Sequence, residues 1–163
     1  MDNLAYKDDY GNGTQVNAQN SLQLIAFSIG EQTYGVEITT VREIRAWNGA
    51  TPLPNTRDFV RGVINLRGTI VPIFDLRARF GEGQTSPTKN HVVVVMSVGN
   101  KWVGILVDAV SDILTVSKDE IHHVPEGNSV DTDLLNGIVT HEGRMVGLID
   151  LHAVVSGAKV VDG

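Results

Sequence analysis

Asp75 and Asp150 are the side chains that most invite a chemical reading, because a pair of carboxylates can divide acid and base work between them. Each stands directly before a short run of helical character, Leu76 to Phe80 and Leu151 to Val155, where a carboxylate caps the first turn. Capping accounts for both without catalysis. The histidines are His91, His122, His123, His141 and His152. Adjacent His122 and His123 point to opposite faces of a strand, and no Cys or carboxylate stands at a recognised ligand spacing, so surface histidines are expected rather than a metal site. The segment Gly81-Glu82-Gly83-Gln84-Thr85-Ser86 has the look of a phosphate loop but lacks its Lys and carries an acid, which makes it a linker. With no Cys and no Gly-x-Ser-x-Gly elbow there is no activated nucleophile either. These residues predict neither an enzyme nor a bound cofactor. Arg67 is different: it sits at a tight turn between two strongly apolar segments, where packing requires no cation.

The elements that must position these residues are written twice. Residues 22–76 recur as 91–151. Gly35, Val41, Glu43 and Ile44 match Gly104, Val110, Asp112 and Ile113 at a spacing of 69, and Gly62, Gly68, Val71, Asp75 and Leu76 match Gly137, Gly143, Val146, Asp150 and Leu151 at a spacing of 75. Arg67 falls opposite Glu142, so the charge at this turn differs between the copies. In each copy a strand pair precedes a third strand, which Asn48-Gly49 ends in the first copy. A helical turn follows, at Thr56 to Val60 and at Asp131 to Leu135, and then a hairpin turning at Leu66-Arg67-Gly68-Thr69 or His141-Glu142-Gly143. The unbroken run Val92 to Met96 predicts a strand buried on both faces, and Ser117 with Glu120 has capping-box spacing. Short strands with Gly-rich turns predict an all-β fold with short helices, two five-stranded barrels sharing an interface. Their expected bounds are about 22–80 and 91–155, with Gly81 to Asn90 as the linker, a disordered tail over residues 1–20 and a short tail over 156–163.

Bulk properties narrow the function. Of the 163 residues, 42% are hydrophobic, enough for a core, and a net charge of -6 without a Lys/Arg stripe excludes nucleic acid. The absence of Cys, of a signal peptide and of any apolar run near ~18 residues predicts a cytoplasmic protein without direct membrane insertion.

The run Asn65-Leu66-Arg67-Gly68-Thr69-Ile70-Val71-Pro72-Ile73-Phe74-Asp75-Leu76 resembles the CheW family of chemotaxis coupling proteins. Gly35 to Arg45 and Val103 to Ile113 are similar to that family's other hallmarks, so the resemblance spans roughly Leu22 to Val155. It implies two SH3-like five-stranded barrels and a non-catalytic adaptor, monomeric when free. The implied partners are the cytoplasmic tips of chemoreceptors, in membrane-associated arrays, and the regulatory domain of the histidine kinase CheA, with which rings can form. By position, Val41, Glu43, Arg67 and Ile113 fall where the family meets the receptor helix, and Arg61, Gly62 and Gly68 in or near its kinase-contact segment. The alternative is the regulatory domain of a CheA-type kinase, or a CheV-like fragment. One departure stands out: Pro125-Glu126 is followed by Gly127, where some relatives carry a large apolar residue, which implies a weaker second-barrel contact or one made by Val124 or Val130.

Overall fold

The structure, a computed structural model, describes residues 20–125 and 133–156; the tails, Gly127, Val130 and Asp131 lie outside the described residues. Among the described residues ten strands run β1 (Ser21–Ile29), β2 (Gln32–Glu37), β3 (Val41–Ala46), β4 (Val60–Leu66), β5 (Thr69–Asp75), β6 (Val92–Val98), β7 (Lys101–Val107), β8 (Ala109–Ser117), β9 (Leu135–His141) and β10 (Arg144–Ile149). Helix α1 (Leu76–Arg79) follows β5, and α2 (Leu151–Val155) follows β10. The strands form two five-stranded sheets, in the orders β8-β1-β2-β10-β9 and β3-β6-β7-β5-β4.

Each sheet therefore takes strands from both copies. The opening hairpin of the first copy, β1–β2, sits with β8–β10 of the second, while β6–β7 sits with β3–β5. The sheets do not follow the expected division at 22–80 and 91–155, because repeat alignment reports the order of strands and not their partners. The exchange is sealed by two parallel ladders, Thr33 to Gly35 along Val146 to Leu148, and Ile73 to Asp75 along Gly104 to Leu106.

Alternation along the strands explains the three cores. Val93 and Val95 face the interior of one sheet with Leu66, Val71 and Ile73, while Val94 and Met96 face the core shared by both sheets. That is why the run Val92 to Met96 carries no polar residue. Leu24 and Ala26 fill the interior of the other sheet with Val146 and Leu148, the repeat counterparts of Val71 and Ile73. Phe27, Ile29, Tyr34 and Val36 meet Val94, Met96, Val103 and Ile105 in the shared core, where Tyr34 also stacks on Phe80 at 4.8 Å.

Both sheets curl toward closure through equivalent backbone bridges. Thr51 exchanges hydrogen bonds with Val63 (2.8 and 2.9 Å), and His122 does so with Ile138 (2.8 and 2.9 Å). A bulge beside each bridge falls at the residue before Gly62 or Gly137. Gly62 has φ +134 and stands so close to Thr51 that a Cβ would lie 2.2 Å from the Thr51 carbonyl oxygen. Glycine is obligatory there.

Two local expectations change. Thr56 and Arg57 are irregular and Asp58-Phe59 is a turn rather than part of a helical turn, with Val60 already in β4. The segment 81–90 is not a free linker, because Thr85 is buried and bonded to Asp75. Asp108, at the β7–β8 crossover, accepts hydrogen bonds from Arg77 (2.8 Å) and the Gly30 amide (2.7 Å), pinning α1 and the β1–β2 turn to one point.

The two family glycines separate cleanly. Gly68, at φ +92, has nothing within 4 Å of a built Cβ. Gly68→Ala is expected to cost about 1 kcal/mol from the left-handed backbone alone, and Gly62→Ala roughly 3 kcal/mol once a backbone clash is added. Urea unfolding midpoints of the two variants check this; equal losses would contradict it.

Candidate functional site

The edge strands β3 and β8 carry the candidate residues, and cross-strand register explains their exposure. Ile25 lies between Val36 and Ile113, and Val94 between Ile105 and Ile44. Residues directly opposite one another share a face, so both rows face the shared core. Their inner members are buried, but Ile113 is 58% exposed and Ile44 43%. The neighbouring rows are Tyr34–Phe27–Val110 and Val103–Met96–Val41, whose outer valines are half-buried against the shared core. β3 and β8 therefore each show a Val-then-Ile stripe, Val41 with Ile44 and Val110 with Ile113, at which the apolar layer runs out to solvent.

The charged members meet beside β3. Arg67 Nη2 donates to Glu43 Oε1 at 2.9 Å, and Arg45 Nη1 approaches Glu43 Oε2 at 3.4 Å. The structure thus joins Glu43 to Arg67 across 24 residues and adds Arg45, which the sequence reading did not single out. Arg67 is exposed and has φ +52, next to Gly68 at +92, the pair of left-handed residues of a type I′ turn. Asn65 Oδ1 accepts from the Gly68 amide at 2.7 Å and tightens it. A type I′ turn favours Asn or Gly at its first position, so an Arg there is held against its backbone preference.

The second copy repeats the arrangement with the charges moved. Glu142 has φ +53, and Asp112, the counterpart of Glu43, finds Arg144 at 4.0 Å. The guanidinium shifts two residues along the hairpin, a compensation that the Arg67–Glu142 mismatch conceals in sequence. Ile70 (59% exposed) and Met145 (64%) are likewise counterparts, one on β5 and one on β10. Ile70 and Pro72 border a hollow of about 420 Å³ with Lys101 and Trp102.

Of the residues expected to meet the kinase, Gly68 stands at the exposed hairpin tip and Gly62 is the closure glycine. Arg61 turns inward. Its Nη1 donates to the Thr85 carbonyl (3.1 Å) and reaches Asp75 Oδ2 (3.4 Å), and its guanidinium lies over Trp47. Asp75 is fully buried; it caps α1 through the Ala78 amide at 3.3 Å and also accepts from the Thr85 amide and hydroxyl at 2.7 Å each. Asp150 caps α2 through Ala153 at 3.2 Å. Capping holds for both, yet Asp75 has a second task, and Asn136 replaces Arg61 in the other copy. Arg79 donates to the Val154 and Ala153 carbonyls at 2.9 and 3.0 Å. Its pKa is lowered from the ordinary value by burial first and by nearby Arg57 second. Ser117 and Glu120 form the expected capping box around Lys118–Glu120.

The chain is similar to known proteins over most of its length. The CheW-like domain family matches residues 23–159. A chemotaxis protein CheW of Rhizobium meliloti is 47% identical over 133 residues, covering 81% of this chain and 86% of that protein. Its namesake in Klebsiella aerogenes is 39% identical over 139 residues, covering 85% of this chain and 84% of that one. The crystal structure of a scaffolding protein, TtCheW of Thermoanaerobacter tengcongensis, superposes with a TM-score of 0.79 at 31% identity, covering 85% of this chain and 95% of that one.

Three substitutions test the geometry. Thr85→Val leaves the buried Asp75 carboxylate short of a donor and is expected to cost about 1–3 kcal/mol, against about 1 kcal/mol for Asp150→Ala, which loses only a cap. Arg67→Asn is expected to change stability by less than about 1 kcal/mol, because relief of the left-handed strain offsets the loss of an exposed ion pair. Chemical denaturation of the three variants checks both statements.

Proposed function

The chain belongs to the CheW-like family, and on that footing we propose that it is a non-catalytic adaptor joining chemoreceptor cytoplasmic tips to the regulatory domain of a CheA-type histidine kinase. One observation carries the reading: apolar stripes end exposed on both edge strands of the shared core, and beside one of them a strained Arg67 is paired with Glu43. An amphipathic helix buries apolar residues at helical spacing and sets its register through charges at the rim, which matches Val41 and Ile113 as the apolar contacts and Glu43 and Arg67 as the polar ones.

The kinase side is proposed to lie on the same hairpin. Gly68 forms its tip, and Ile70, two residues on, is exposed beside the hollow at Trp102. Arg61 and Gly62 support that surface from behind, through Asp75 and through barrel closure. A relative's barrel docking on this face makes the contact sheet against sheet, with no chemistry required of either side. The protein works in the cytoplasm, at the membrane-associated receptors that recruit it.

Copurification with a receptor signalling tip and with the kinase, separately and together, tests the assignment. Ile113→Lys and Arg67→Glu are each expected to weaken receptor binding at least about tenfold, and Ile70→Lys to weaken kinase binding while sparing the receptor. The exchange Glu43→Arg with Arg67→Glu restores the internal pair and should still fail to bind the receptor. Full binding by that double variant would mean the pair only stabilises the fold, and unchanged binding by Ile113→Lys would remove the receptor site.

A further inference from the structure

Next to the Glu43 pair, where β3 leaves the sheet and the chain returns to bridge Thr51 to Val63, a hollow of about 440 Å³ opens. Its polar lining comes from Arg45, Asn48, Thr51 and Asn65, and its floor includes Val63 and Ile64. The closure of this barrel is a single bridge, so the wall between β3 and β4 is incomplete and the hollow is the gap.

The charge count around it is unbalanced. Glu43 gives one oxygen to Arg67 and the other to Arg45, and among the described residues it is the one carboxylate within ion-pair distance of either. Two guanidiniums thus share one carboxylate, on a chain whose net charge is -6. The Arg45 contact is the looser, at 3.4 Å against 2.9 Å, and Arg45 is the one that lines the hollow. The other polar groups there supply donors as well. Asn65 uses its carbonyl oxygen on the Gly68 amide, which leaves its NH2 group as a donor, and Asn48 and Thr51 add an amide and a hydroxyl.

We infer that this hollow receives a carboxylate side chain, Asp or Glu, from the protein segment docked on β3. The inference rests on the adaptor reading for the identity of that segment. A partner carboxylate on Arg45 lets Glu43 settle wholly on Arg67, so two guanidiniums then face two carboxylates and no charge is left uncompensated as water is excluded. The hollow shares Arg45 with the Glu43 pair and Asn65 with the Arg67 turn, and through these two residues it is continuous with the polar part of the proposed docking face. That continuity favours an acidic side chain of a docked protein over a free small acid. Arg45 then selects the partner's sequence, and an acid at the matching position is the feature it selects.

The test does not need the natural partner. The peptides acetyl-Leu-Glu-Glu-Leu-amide and acetyl-Leu-Gln-Gln-Leu-amide are titrated into the full chain while the side-chain amide signals of Asn48 and Asn65 are followed by NMR. The Glu peptide is expected to shift both signals and the Gln peptide to leave them in place. Arg45→Met should weaken the Glu peptide at least about tenfold, and Arg45→Lys should recover part of that loss as a charge without the fork geometry. Equal responses to the two peptides, no response to either, or full binding by Arg45→Met would overturn the site. Sodium acetate producing the whole shift at the same concentration would make it a free-carboxylate pocket and overturn the docking assignment. In the receptor-tip copurification, Arg45→Met should fall with wild-type binding intact. Absence of wild-type binding there would fault the adaptor reading, while the peptide result would stand by itself.

Discussion

Two short parallel ladders hold the rest of the molecule in place. Where β2 runs beside β10 and β5 beside β7, the hairpin of one copy becomes the inner strands of the other copy's sheet. Neither copy can complete a sheet by itself, since each lacks two of its five strands. Parallel pairing joins segments distant in sequence and carries a loop-closure cost that local hairpins avoid. The shared core repays that cost, because Phe27, Tyr34, Met96 and Val103 are brought to it by the exchanged strands. Gly104 shows how tight the junction is: a Cβ there would lie 2.5 Å from Ile73 Cδ1.

The same exchange decides where the apolar surface ends up. Once β1–β2 and β6–β7 occupy the inner positions, β3 and β8 are left as edge strands. Their outward rows have buried partners on one side and solvent on the other. Edge strands are ordinarily protected by charge or by bulges, and both appear here, with a bulge after Val41 in β3 and one opposite Ala26–Phe27 in β8. Glu43, Arg45, Asp112 and Arg144 supply the charge. Exposed isoleucines survive among these protections, in the same place on β3 and β8, and the proposed docking reading rests on that survival.

What the sequence made legible is local. The hairpins, the capping box at Ser117, the caps at Asp75 and Asp150 and the two-faced burial of Val92 to Met96 all follow from spacing within a few residues. The duplication was legible too, as was the family through the run Asn65 to Leu76. What stayed hidden depends on pairing. Strand exchange leaves the repeat pattern unchanged, so the repeat alone does not say which strands pair. Thr85 reads as a linker residue until the fold brings it to Asp75, and Arg61 reads as a surface cation until Trp47 and Thr85 surround it. Ile44 and Arg45 sit in a strand whose alternation cannot say which face is buried until its edge position is known.

The asymmetry between the copies then acquires a physical meaning. Duplication gave both hairpins a left-handed first turn residue, Arg67 in one and Glu142 in the other, and the strain is the same at each. If the residue served only the turn, Asn or Gly would relieve that strain in both places. Instead, each tip keeps a long charged side chain, and the signs are opposite. Around the first tip Arg45 and Arg67 outnumber Glu43; around the second, Glu142 and Asp112 outnumber Arg144. A fold with near-identical apolar edges could bind one helix in two related ways. Opposite charge makes the two tips electrostatically unlike although the apolar edges beside them are alike. The backbone of the duplicated fold repeats the apolar surface, and the divergence of a few charges between its copies makes the two ends of that surface unlike.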